Sequence, residues 1–119
     1  MTQIDQNVIA DLLAALSDVP LTKGSAAKYI PLKIGEGAHS DVMNIYNNHV
    51  RCFVSEELRK QLERAKFIIG TTDKKNWFRI KEVSKDSVEK NCDLFKKIVK
   101  DSVDTILHLQ KKGLKATNG

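Results

Sequence analysis

The sequence predicts a small α+β domain: an N-terminal helix, a short mixed sheet with a β-hairpin at about 66–83, and a long C-terminal helix at about 84–112. Three observations carry this. Apolar residues recur at helical spacing at both ends of the chain. Short β-branched and aromatic runs occupy the middle. A polar stretch of hairpin-loop length separates two of those runs. The chain has 119 residues, within the size of one domain. Residues 1–113 are expected to form it, with 114–119 as a flexible tail.

Ile4, Val8, Ile9, Leu12, Leu13 and Leu16 form one stripe of a 3.6-residue period. Asp5 or Thr2 can cap that helix, and Pro20 prevents its continuation. Residues 28–34 look extended, and Pro31 implies that the strand lies at a sheet edge or is short, because proline donates no ladder hydrogen bond. After the turn Gly35-Glu36-Gly37, Ser40 or Asp41 can cap a short helix reaching about Asn48. Residues 50–54 favour a strand. Ser55 then caps a helix whose first turn, Glu56-Glu57, suits the positive end of the helix dipole.

Residues 66–71 and 77–83 read as the two hairpin strands around Thr72-Asp73-Lys74-Lys75-Asn76. From Ser84 an apolar seam runs through Val88, Cys92, Phe95, Val99, Val103 and Ile106. A helix of ~28 residues would be ~42 Å long. Such length points to pairing with a second copy through Phe95, Val99, Val103 and Ile106. Gly113 marks its expected end.

Composition narrows the function classes. The apolar runs are too short for a membrane span of about 20 residues. No secretory signal is visible, which leads to an expected cytoplasmic location. Cys52 and Cys92 read as small core residues in a reducing compartment. The histidines are scattered and no paired-cysteine spacing occurs, so neither a metal nor a cofactor is expected. Charge is uneven. Residues 1–60 carry 6 basic and 7 acidic side chains, whereas residues 61–119 carry 14 basic and 8 acidic. A basic half suits an anionic partner, and nucleic acid is the commonest.

The hairpin is where that charge meets an aromatic ring. Side chains alternate along a strand, so Phe78 and Ile80 share one face while Trp77, Arg79 and Lys81 share the other. If the first pair is inward, the outer face is aromatic and basic beside Lys74 and Lys75. Cations neutralise phosphates and a flat ring stacks on a base. Alternation alone leaves open which face is buried.

The order helix, helix, hairpin, long helix resembles a winged helix-turn-helix, with 54–69 as its last helix and first wing strand. That resemblance implies Arg59, Lys60 and Arg64 facing DNA, with Lys74, Lys75 and Arg79 as the wing. The segment Val50–Val54 departs from it, being a better strand than a turn. Residues 51–62 also resemble the strand-to-helix segment of AbrB-type swapped-hairpin DNA binders, with Ser55 where those carry proline.

The leading expectation is a non-enzymatic nucleic-acid-binding protein, reading DNA through Arg59, Lys60, Arg64, Lys74, Lys75, Trp77, Arg79 and Lys81. The alternative is an interaction module whose basic half docks on an acidic protein surface. A third class, an enzyme using Glu36, His39 and Asp41, lacks a further partner residue in the sequence.

Overall fold

The computed structural model describes residues 5–35, 40–72 and 77–118, with side chains described as far as Lys111. Helix α1 spans Gln6–Ala15, capped by the Asp5 carboxylate, which accepts from the Val8 amide. The strands are β1 (Thr22–Lys23), β2 (Tyr29–Lys33), β3 (Asp41–Tyr46), β4 (His49–Phe53), β5 (Ile69–Thr71) and β6 (Trp77–Lys81). Helix α2 is Glu56–Arg64, α3 is Lys85–Lys90 and α4 is Cys92–Asn118. The strands form one antiparallel sheet in the order β1-β2-β3-β4-β6-β5, so the expectation of a mixed sheet is corrected.

Residues 41–46, expected to be helical, form strand β3 in the middle of that sheet. Val42, Met43, Asn44 and Ile45 are all buried there, and Asn47-Asn48 connects β3 to β4. Four consecutive buried residues show neither a clean period of two nor a helical stripe, which is why the pattern misleads. With residues 41–46 extended, the winged helix-turn-helix reading loses a required helix. The single open sheet likewise departs from a swapped-hairpin barrel.

Pro31 lies in β2, which is paired on both sides and is not an edge strand. The Pro31 carbonyl accepts from the Gly24 amide at 2.8 Å, just past the end of β1. Nitrogen and carbonyl of one strand residue point the same way, so the missing donor falls on that flank and the ladder to β3 loses nothing. Gly24 permits the approach, since a Cβ there would sit 2.8 Å from Pro31 Cγ.

The four helices lie on one side of the sheet. Helix α4 packs on β3 and β4 and also touches α1, α2 and α3. The core between them contains Ile9, Leu13, Leu32, Met43, Ile45, Val50, Cys52, Leu62, Ile80, Phe95, Ile98 and Val99. Phe67 meets Phe95 edge to face, centroids 5.4 Å apart. Phe95, Val99, Val103 and Ile106 are buried in this core, so the seam expected to join two chains is used within one. No helix among the described residues is long and apolar enough to cross a membrane.

The expected helix at 84–112 is divided at Asn91, whose φ of −115° and ψ of 36° leave the helical region. Its side-chain amide donates to the Ser87 carbonyl at 2.9 Å, the local competition that makes asparagine a weak helix former. Helix α4 then passes through Gly113 to Asn118, beyond the expected stop. Cys92, at its start, is exposed, contrary to the expectation of a core residue.

Helix α2 ends in a Schellman motif. The Phe67 amide donates to Leu62 and the Lys66 amide to Glu63. This turn delays strand β5 to Ile69 and leaves Lys66 at φ 73°, a conformation that suits glycine. Lys66→Gly should therefore raise stability by about 0.5–1 kcal/mol. Urea denaturation measures this, and a lower midpoint would show that the lysine side chain contributes more than its backbone costs.

Candidate nucleic-acid interface

The face of the sheet opposite the helices is built by simple alternation. In β4, Val50 and Cys52 are buried, so His49, Arg51 and Phe53 point the other way. In β6 Ile80 is buried and Phe78 shares its side, which leaves Trp77, Arg79 and Lys81 outward. The register joins these sets as His49↔Lys81, Arg51↔Arg79 and Phe53↔Trp77. Two arginines thus stand directly opposite each other, at a typical Cβ separation of about 5 Å, where like charges repel. The outward positions of β4, β5 and β6 carry no carboxylate to offset them.

The row through Arg51 and Arg79 crosses the sheet. Asn44 pairs with Arg51 and Pro31 with Asn44, while Gly70 pairs with Arg79. A Cβ at Gly70 would lie 3.3 Å from Lys81 Cε and 3.7 Å from Arg79 Cβ, so the missing side chain gives both cations room across β5. Asn44 is only 8% exposed. Its Oδ1, with Arg51 Nε, Arg79 Nε and His49 Nε2, is enclosed and has no hydrogen-bond partner among the described residues. The one other such atom, Arg59 Nε, lies on the helix side, so unmet polar capacity concentrates on this open face.

Beside the arginines stands a column of rings. Tyr29 and Tyr46 are register partners with centroids 4.9 Å apart and planes at 28°. Tyr46 stacks on His49 at 4.5 Å and 12°. The Arg51 guanidinium lies 4.9 Å from the Tyr46 centroid, a cation–π distance. Trp77 is half-buried at the other end, where its carbonyl accepts from the Thr72 hydroxyl at 2.8 Å and closes the hairpin.

His49 reports the field of this face. Burial holds its pKa down at about 4, and the charges of Arg51, Arg79 and Lys81 push the same way. The ring is neutral at pH 7, and Nδ1 lies 2.6 Å from the Asn48 side-chain oxygen, which accepts its hydrogen bond. A neutral ring here is a flat stacking surface bordered by three cations.

The residues expected to bind nucleic acid divide between two sides. Trp77, Arg79 and Lys81 lie on the open face. Arg59 sits over the Phe78 ring at 4.6 Å on the helix side. Lys60 is within 3.8 Å of Glu56, and Arg64 is exposed in the last turn of α2. Helix α2 therefore does not share one surface with the outward side chains of β6, a correction to the expected joint site. Lys74 and Lys75 lie outside the described residues, as do Glu36 and His39 of the glycine-turn loop. Asp41 of that loop is 3.6 Å from Lys33.

Sequence reasoning missed Tyr29, Asn44, Tyr46, His49 and Arg51. The signal available was the alternation His49-Val50-Arg51-Cys52-Phe53, which mirrors Trp77–Lys81. Cys52 and His49 do point to opposite faces, as their spacing implies. Burial pushes the Cys52 thiol up to about 12, which makes it a packing residue and not a nucleophile. Among the described residues no group of three His, Cys, Asp or Glu side chains is arranged to hold a metal ion.

Comparison with known protein families, curated proteins and solved structures gives no match to this chain.

A histidine held below its ordinary value favours the unfolded chain wherever that chain binds the extra proton. Stability from neutral His49 is complete above pH 6.5 and falls as pH drops from 6.5 towards about 4. Urea midpoints across that window should decline with falling pH, and His49→Gln should flatten the decline. An equal slope in the variant would place the acid sensitivity elsewhere.

Proposed function

We propose that this chain binds single-stranded nucleic acid across the open face of its sheet. The observation that carries the reading is the cross-strand register pair Arg51↔Arg79, two cationic residues on adjacent strands with no carboxylate on the neighbouring outward positions. A folded protein gains nothing internally from that arrangement. A polyanion laid over it converts repulsion into charge-assisted hydrogen bonds and releases counterions. The rings of Tyr29, His49 and Trp77 supply flat partners for unstacked bases.

Geometry favours one strand over two. Six strands at ~4.8 Å spacing make a face ~24 Å wide, and a duplex major groove is ~12 Å wide. The face cannot enter a groove, but an unpaired strand can run along it. This reading keeps the hairpin residues Trp77, Arg79 and Lys81 and replaces α2 with Arg51 and its ring column.

A thymidine oligonucleotide should bind at low salt, and more tightly than a duplex of equal length. Affinity should fall as salt rises, with log affinity against log salt steepening by about −0.7 for each phosphate neutralised. Quenching of Trp77 fluorescence, the chain's one tryptophan, is the readout. Equal affinity for the duplex would return the reading to groove binding. Failure to bind any nucleic acid at low salt would leave an acidic protein surface as the partner of the basic half.

A further inference from the structure

We propose that Arg51, Arg79 and Lys81 form one subsite for a backbone phosphodiester, with His49 as the ring on its border. The inference rests on the single-strand reading above and names where on the face a phosphate is held. Arg51 and Arg79 are register partners, and Lys81 is the partner of His49 one pair further along the same two strands. Gly70 leaves the flank beside Arg79 and Lys81 without a side chain. The Arg51 guanidinium is steadied on Tyr46. All three cations, from two adjacent strands, act on His49, and the outward positions of those strands carry no acidic side chain.

The groups around His49 fix what filling the subsite does. Tyr46 of β3 covers one ring face. Arg51 of its own strand, and Arg79 and Lys81 of β6, supply positive charge. The Asn48 side-chain oxygen accepts a hydrogen bond from Nδ1–H. Glu82, exposed beside Lys81, is the adjoining carboxylate, and its amide donates to the Asn48 carbonyl. A phosphodiester among the three cations cancels the electrostatic part of what opposes protonation, burial being the larger part. His49 then takes up a proton more readily, and by linkage the bound form gains affinity as pH falls.

The experiment follows the His49 ring protons by NMR through a pH titration of the full chain. It is done free, with an abasic oligomer that has a phosphodiester backbone and no bases, with a thymidine oligonucleotide, and with inorganic phosphate at equal phosphate concentration. The abasic oligomer should raise the His49 midpoint by about one unit or more, the scale of a removed neighbouring charge. Inorganic phosphate should leave it in place. Arg79→Gln and Lys81→Gln should each weaken thymidine oligonucleotide binding about tenfold, the size of a lost charge-assisted hydrogen bond. Lys85→Gln, on α3, should not. His49→Phe should remove the dependence of oligonucleotide binding on pH.

A midpoint unmoved by the abasic oligomer, while the thymidine oligonucleotide still binds, overturns the subsite and leaves the single-strand reading standing. An equal shift with inorganic phosphate overturns the assignment to a backbone. Absence of binding by both oligomers overturns both readings.

Discussion

A sheet has two faces, and this chain carries apolar helical surface for only one of them. Helix α4 supplies most of it. Phe95, Ile98, Val99 and Ser102 are buried, and the Ser102 hydroxyl reaches the Phe53 carbonyl of β4 at 3.3 Å. At its far end the Gln110 side chain donates to the Ile34 carbonyl at 2.9 Å. Seating this helix over β3 and β4 decides which residues of each strand face inward, because register and alternation leave a strand no intermediate choice. The outward set follows from the inward one.

That constraint explains why the open face collects side chains that do not suit one another. Val50, Cys52 and Ile80 must lie under α4, so Arg51 and Arg79 are held opposite each other by the ladder whatever their charge. Part of the cost is offset locally. Tyr46 carries the Arg51 guanidinium on its ring, and His49 stays neutral instead of adding a further cation. The remaining repulsion, with enclosed polar atoms on Asn44, Arg51 and Arg79, is unlike a surface shaped for stability alone. Positive charge gathered on one face, beside stacked rings, is the physical content of the binding reading.

How much was legible in the sequence differs element by element. The caps at Asp5, Ser55 and Ser84 were readable, because a short polar side chain before an apolar periodic run has one economical use. The hairpin was readable from its two β-rich runs and polar loop. Residues 41–46 were not, because four consecutive buried residues erase the alternation that identifies a strand. The site was half legible. Trp77, Arg79 and Lys81 could be grouped by alternation within one strand, but their partners Arg51 and His49 depend on pairing between strands that no local pattern encodes.

The sequence by itself determined the local choices: where helices start, which stripe of α4 is apolar, and which residues of each strand go together. These depend on neighbours within about a turn of helix or two strand positions, and such distances are written in the spacing of residues. Tertiary structure alone decided which side of the sheet the helices cover, that β4 and not β5 flanks β6 on its inner side, and that Asn91 divides the last helix. Those outcomes depend on contacts between segments far apart in the chain. It is through them that Arg51 pairs with Arg79 and that five rings of β2, β3, β4 and β6 come to share one face with them.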